Sequence, residues 1–379
     1  MTHNFAKKSL ALHKKLKGKI KTCTKVDVKD SESLSLVYTP GVGAVSSYIA
    51  KHKSEVGEYT FKNNSVAVIS DGSAVLGLGN LGPEGAYPVM EGKCLLFKNF
   101  AGIDAIPILL STQNPQEIIS AILAIAPTFG GINLEDIAAP KCFGIEKTLR
   151  ERLSIPVIHD DQWGAAVVTL AALLNALKIV GKKIETAKIT ISGVGAAGSA
   201  IIKILHASGA RNILACDSKG IISTSRKLDH GYKKEIARIT NSKNQVGLLS
   251  DAIKNSDVFI GVSSPNIVNS EMVFSMSEDS IVFALANPVP EIAPEEARRG
   301  DAFIIATGRS DYPNQVNNSL AFPGVFRGAL DRNIKQITIK MLIKAASNLS
   351  TLVKNPNPKK IIPSIFDAGV VKAVASAIS

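Results

Sequence analysis

The spacing of apolar and polar positions changes along the chain, and the change divides it. Between positions 60 and 108, short apolar runs at 66–69, 94–97 and 106–108 are set between glycine-rich turns and read as strands. Helical spacing follows over 115–126, then an apolar run at 132–134, a second helix around 145–153 and a strand at 155–158. Strands and helices in alternation predict an α/β layer in this half. The stretch 162–177 carries no ionisable side chain, but Thr169 and Asn175 interrupt it and it falls short of the ~18–20 apolar residues of a bilayer span. It predicts a buried core helix over 165–180 and no membrane partner.

From Lys188 the order becomes strand (188–192), glycine turn, helix (197–208) and strand (212–217), with further apolar strands at 258–260 and 281–285. This is the βαβ alternation of a parallel sheet. The predicted fold class is therefore α/β. A first α/β domain covers 1–164, a doubly wound Rossmann-type domain covers 165–335, and 336–379 packs back on the body as helices. A chain of 379 residues is long enough for such a division. With 45% hydrophobic and 20% charged residues it can offset the entropy of ordering, which excludes wholesale disorder.

The net charge of +12 raises the question of a polyanionic partner. Much of the excess lies in solvated lysine pairs such as Lys7-Lys8 and Lys182-Lys183, with no aromatic-interleaved basic stripe, so nucleic acid is not expected and small anionic substrates fit better. Four cysteines without a CxxC pair argue against a disulfide framework and a zinc site. The N-terminus lacks an apolar core and cleavage site, and a cytoplasmic location is expected.

Chemistry concentrates first at Gly193-Val194-Gly195-Ala196-Ala197-Gly198. Gly193 permits a tight turn, Gly195 lets backbone approach a pyrophosphate, Gly198 allows close helix–strand packing, and the helix start offers unpaired N–H groups. A strand precedes the turn, a helix follows, and Asp217 stands nineteen residues beyond Gly198 at the end of the next strand. Together these predict a site for NAD or NADP. An acid there accepts from a ribose 2′-hydroxyl and repels a 2′-phosphate, which favours NAD, while Lys219 offsets part of the repulsion.

In the first half, Glu135-Asp136 and Asp160-Asp161 each follow an apolar strand. Carboxylates alone suit a hard cation, Mg²⁺ or Mn²⁺. The alternative for each pair is a helix start, where acids complement the dipole or cap the backbone. Lys93 enters an otherwise apolar segment. Partial burial would lower its pKa and make it a general base, whereas a surface lysine laying its stem along the segment fits the pattern equally. Tyr38, beside the turn Thr39-Pro40-Gly41, is either a packed aromatic or an acid.

These segments, with Asp71-Gly-Ser-Ala-Val-Leu-Gly-Leu-Gly-Asn80, Ala286-Asn-Pro288 and Asn317-Asn-Ser-Leu-Ala-Phe-Pro-Gly324, resemble the short bacterial malic enzymes over nearly the whole chain. The resemblance implies oxidative decarboxylation of (S)-malate to pyruvate and CO₂ with reduction of NAD(P)⁺, assisted by Mg²⁺ or Mn²⁺. It makes the first domain the malate- and metal-binding one and the second the NAD(P)-binding one. It implies Glu135, Asp136 and Asp161 as metal ligands, Lys93 as the base at the C2 hydroxyl and Tyr38 as the acid at C3. Asn287, Asn317 and Asn318 become substrate and nicotinamide contacts, Asn318 before Asn317, and a homodimer is implied. Three departures stand out: Trp163 where short members show His, Ala165-Ala166 in a Gly-Thr-Ala position, and Gly144 in place of Glu. The arginine that longer members carry near Ala74 is also missing. The segment 361–367 resembles the end of the malic domain in stand-alone enzymes and in hybrids that continue into a phosphotransacetylase-like domain. Two other readings are an amino-acid dehydrogenase, which needs no metal, and a non-catalytic polyanion-binding protein.

Overall fold

A computed structural model describes residues 2–379. Four parallel strands, β1 (Ser65–Ser70), β2 (Asp104–Leu109), β3 (Gly131–Leu134) and β4 (Val157–His159), form the first sheet in the order β2-β1-β3-β4. Strand β1 is covered on both faces and buried at every position, as an inner strand of a parallel sheet must be. Pro107 pairs with Val68 from the edge strand β2, where a missing N–H costs no inner ladder bond. The carboxyl ends of β1, β3 and β4 deliver Asp71, Glu135-Asp136 and Asp160-Asp161 to one rim of the sheet.

One expected strand is wrong. Residues 94–97 lie inside the helix Gly82–Ala101, which buries Ala86, Met90, Lys93, Cys94, Phe97 and Ala101. That is the three-to-four spacing of one helical face. Gly85, Pro88 and Gly92 give the helix the punctuation of a turn-rich segment, but Phe97 packs edge-on against Phe322 (4.8 Å) and Phe326 (5.5 Å), and that burial prevails.

The second sheet has the order β10-β9-β8-β5-β6-β7, built from β5 (Lys188–Ser192), β6 (Asn212–Asp217), β7 (Gly220–Ile221), β8 (Val258–Gly261), β9 (Ile281–Ala284) and β10 (Ile304–Thr307). All pairings are parallel except that of the short β7, which returns against β6. The chain winds one way from β5 to β6 and the other way from β8 onward, so the switch of direction lies between β5 and β8, where such folds bind ligands. Strand β10 was not anticipated from the sequence.

The helix Asp160–Ile179 ties the two sheets together. It is long and apolar enough to cross a membrane by composition, yet most of it is buried inside the fold, as the sequence predicts for a core helix. It runs unbroken through positions 164 and 165, where the sequence places a domain border, and packs on the helices Ala196–Ala207 and Ile339–Thr351. Asn175, within it, donates to the carbonyls of Ser350 (2.9 Å) and Ile361 (2.8 Å), fastening the C-terminal segment.

None of residues 5–64 is buried. Leu10, Leu36, Tyr38 and Phe5 are all more than half exposed. This arm touches the body at Lys19, whose N–H donates to Glu91.

Candidate active site

Strands β3 and β4 are neighbours in register, so the residues that leave their ends meet. Glu135, Asp136 and Asp161 each place a carboxylate oxygen within 4.8 Å of the others. Asp136 sits at φ +54°, a left-handed conformation that Asp tolerates better than most residues. Its carbonyl accepts the Ala74 N–H (3.0 Å), its own N–H donates to Asp161 Oδ2 (2.8 Å), and its Oδ2 is buried without a partner. Asn133 Nδ2 supports Glu135 Oε2 at 3.0 Å. Burial, with repulsion from neighbouring carboxylates (Asp160 in the case of Asp161), pushes all three acids up, Glu135 to about 7, Asp136 to about 8 and Asp161 to about 6. An oxygen-only donor set with an orphaned buried carboxylate oxygen fits a divalent hard cation.

No helix starts at Glu135-Asp136, whereas Asp160 and Asp161 do stand in the first turn of the Asp160–Ile179 helix, as the alternative reading expects, although that helix follows His159 without a side-chain cap. Asp160 Oδ2 instead meets Lys93 Nζ at 2.5 Å, while Glu135 Oε1 lies 2.6 Å from the same nitrogen. Lys93 is 7% exposed and sits 4.3 Å from the centre of the Phe322 ring. It is therefore not a surface lysine. The expected fall in its pKa is also corrected: burial lowers it, but Asp160 and Glu135 outweigh burial and hold the ammonium above its ordinary range. Gly164 is required here, because a Cβ would overlap Asp160 Oδ1 and press on Asn318 Cβ. Asn318 thus stands beside the acid turn, while Asn317 Oδ1 is engaged by the Ser319 N–H (2.9 Å).

Two residues escaped the sequence reading. Glu146, buried on the helix Lys141–Arg152, accepts from Trp163 Nε1 (2.9 Å), Gln162 Nε2 (2.9 Å) and the His159 N–H (3.2 Å), pinning the strand–helix junction that carries Asp160 and Asp161. Trp163, the departure from the short-enzyme pattern, is thereby satisfied. Burial pushes Glu146 up to about 7. His159 is fully buried, with Nδ1 3.7 Å from Asp161 Oδ2, and burial holds it down at about 4, so it is neutral. The sequence offers no motif for Glu146, and its only signal is an acid on the apolar face of a helix. Gly144 faces open space and leaves no gap in this network.

At the switch point, Gly193 has φ +102° and donates to the Cys216 carbonyl (2.9 Å). A Cβ at Gly198 would overlap the Gly193 carbonyl oxygen, whereas Gly195 faces open space. Val194 supplies the carbonyl for Ser199 Oγ (3.0 Å), and the helix opening with Ala196 and Ala197 has no side-chain cap, leaving its first N–H groups to a ligand. This cradle fits a pyrophosphate. Asp217 ends β6 beside it, where hydrogen bonds from Lys233 and Arg226 overcome burial and hold its carboxyl below the usual range. Asn287 lies where the domains touch: a Cβ at Gly77 of the first domain would overlap the Asn287 carbonyl. Tyr38 is not drawn into the cluster. It is 63% exposed, and its hydroxyl makes no hydrogen bond among the described residues.

Fold and site define a two-domain nicotinamide oxidoreductase, with a dinucleotide cradle on one sheet and an acid cluster on the other. The family model "Malic enzyme, N-terminal domain" matches residues 17–150, and "Malic enzyme, NAD binding domain" matches 163–379. The NAD-dependent malic enzyme of Geobacillus stearothermophilus is 52% identical, with 99% of this chain and 78% of that protein covered. The NADP-dependent malic enzyme of Halomonas elongata is 44% identical over 99% of this chain and 93% of its own length. The solved NAD-dependent malic enzyme of Thermotoga maritima superposes with a TM-score of 0.95 at 52% identity, covering 97% of this chain and 98% of that one. The chain belongs to the malic enzyme family, whose members decarboxylate malate oxidatively with a nicotinamide cofactor.

Proposed function

We propose that the protein converts (S)-malate and NAD(P)⁺ to pyruvate, CO₂ and NAD(P)H in the cytoplasm, with Mg²⁺ or Mn²⁺ held by Glu135, Asp136 and Asp161. The observation that carries the reading is the convergence of three carboxylates, each with an oxygen within 4.8 Å of the others, beside a buried lysine that lies 2.6 Å from Glu135. A cation held there would supply Lewis-acid chemistry at the C2 oxygen, and a nicotinamide in the cradle would serve as the hydride acceptor.

Lys93 takes the C2-hydroxyl proton. As it stands, two carboxylates face it and hold it as an ammonium, and engagement of Glu135 by a cation would remove one of them and ease release of that proton beforehand. Asp160 keeps the amine aimed. Asn318, held at Gly164 against the acid turn, contacts substrate, with Asn317 and Asn287 on the nicotinamide side. Tyr38 protonates C3. Because it rides on an exposed apolar arm, we place that arm against a second copy in a homodimer, where such area is covered. Asp217, its charge offset by Arg226 and Lys233, gives NAD only a slight preference over NADP.

The test is absorbance of the reduced nicotinamide with malate, either cofactor and Mn²⁺, with and without EDTA. Formation of NAD(P)H and pyruvate that EDTA stops is expected. Turnover indifferent to EDTA would favour a metal-free dehydrogenase, and the absence of turnover with tight salt-sensitive nucleic-acid binding would refute both.

A further inference from the structure

Positive charge gathers at the end of the second sheet that the reaction does not use. A cavity of about 410 Å³ opens at the amino ends of β5 and β6, where Lys188, Arg211, Lys243 and Lys254 line it against a single acid, Asp251. The four cations come from four segments: the first residue of β5, the residue before β6, the turn after the helix Gly231–Ile239 and the residue after the helix Leu249–Ile253. None of the four forms an ion pair among the described residues, whereas Lys182, Lys203, Lys219, Arg226 and Lys233 of the same domain each hold a carboxylate. The nearby acids are already engaged. Asp257 holds Lys182 at 2.9 Å and accepts the Lys188 N–H at 2.7 Å, and Asp251 accepts the Leu248 N–H at 2.9 Å. Two of the cations stand on a fixed frame. Arg211 Nη1 donates to the carbonyls of His206 (2.9 Å) and Ala210 (3.0 Å), and its Nη2 makes no hydrogen bond among the described residues. Asn241, buried at φ +49°, donates to the carbonyls of Ile222 (3.0 Å) and Gln245 (2.9 Å) and accepts the Gln245 N–H (2.8 Å), which fixes the turn that carries Lys243. Like charges kept together in this way destabilise the fold until a counter-charge joins them. A guanidinium edge and three ammonium groups around one concavity are the groups that hold phosphate oxygens. Among the described residues no aromatic side chain lines the cavity, so it offers no platform for stacked bases.

We propose that this cavity is a binding site for a small polyphosphate, whose phosphate chain takes Arg211 and the three lysines while any attached group stays in solvent. The cavity and the Gly193 turn lie at opposite ends of β5, about 15 Å apart along a strand that rises ~3.3 Å per residue. It is therefore separate from the dinucleotide cradle, and its occupation does not depend on the reading of the reaction.

The experiment is calorimetric titration of inorganic triphosphate into the intact protein in EDTA, with and without NADH, repeated with ATP and with a short single-stranded oligonucleotide. Wild type should take one triphosphate per chain, and NADH should leave that binding unchanged. ATP within about tenfold of triphosphate assigns the bare phosphate chain as the ligand, the expected result, and ATP tighter by more than that assigns a nucleotide polyphosphate. Lys243→Met and Lys254→Met should each weaken triphosphate by roughly 3–10-fold, between the worth of an exposed ion pair and that of a charged hydrogen bond, and the double variant by roughly 10–100-fold. Lys147→Met removes one exposed charge from the first domain and should change binding by less than about twofold. All three lysines are exposed, so the variants should fold, and thermal melts verify it: triphosphate should raise the Tm of wild type far more than that of the double variant. No binding to wild type, displacement by NADH, or equal weakening in Lys147→Met overturns the inference. So does an oligonucleotide that binds more tightly than triphosphate and is weakened by the same substitutions, because the face would then belong to nucleic acid.

Discussion

Replacing Lys93 by Ala tests the centre of the site, because one atom, Nζ, lies 2.6 Å from Glu135 and 2.5 Å from Asp160 with almost no solvent near it. Removing one partner of a buried ion pair typically costs ~3–5 kcal/mol, since the remaining charge is left uncompensated. Here two acids are left, but they share one lysine and are able to take up protons, so the same ~3–5 kcal/mol, not twice it, is the expected loss for the metal-free protein at neutral pH. Loss of the contact over the Phe322 ring lies within that figure. Two further effects have different signs. Turnover should fall by roughly 10²–10⁴-fold, the usual contribution of a positioned acid–base group. Binding of Mn²⁺ should tighten, because a positive charge beside Glu135 disappears. The assays are a thermal melt with and without Mn²⁺, a Mn²⁺ titration, and NADH binding, which should not change because the Gly193–Gly198 turn does not touch Lys93. Unchanged turnover with metal bound would remove Lys93 as the base, and weaker Mn²⁺ binding would refute the electrostatic reasoning.

Asp136→Asn should weaken Mn²⁺ binding by at least ~10–100-fold while raising the stability of the metal-free protein, because it deletes a repelled acid; a titration paired with a melt shows both signs. The metal-free protein should lose stability as pH rises from about 4 to about 8. Glu135, Asp136 and Asp160 keep protons in the fold up to about 7, 8 and 7, whereas the unfolded chain gives them up near ordinary carboxylate values. The slope is at most about 1.4 kcal/mol per pH unit for each group, and melts that stay flat over this range with EDTA present would count against the cluster. Gly198→Ala drives a Cβ into the Gly193 carbonyl, so NADH binding should be lost and stability reduced by ~1–3 kcal/mol; retained NADH fluorescence would show that the turn does not cradle the dinucleotide.

The glycine turn is legible in sequence because its parts are local: β5, the turn and the following helix are contiguous, and Asp217 is one strand further on. The acid pairs are legible as pairs, but choosing among their members requires knowing that β3 and β4 are adjacent, which spacing does not reveal. Lys93 reaches them on a helix whose Gly85, Pro88 and Gly92 disguise its period. The sign of its pKa shift depends on two anions that are 42 and 67 residues away in sequence, so a reading of its apolar neighbours alone gives the wrong direction. Glu146 is invisible for the same reason, since its donors lie at the end of the next strand and in the helix turn after it. Tyr38 is recognisable only by likeness, as its hydroxyl has no hydrogen-bond partner among the described residues.

The Asp160–Ile179 helix behaves as a strut between two seats. Its first turn presents the acids, and its flank lies along the helix whose start is the dinucleotide cradle. On the proposed reading, the gap a hydride crosses would be set by this framework and not by the loops. Warming or surface substitution should change how fast reactants enter and leave far more than how far apart they sit once inside. At Gly77 the first-domain loop comes so near the Asn287 carbonyl that no side chain fits between them, which adds a second fixed seat between the two sheets.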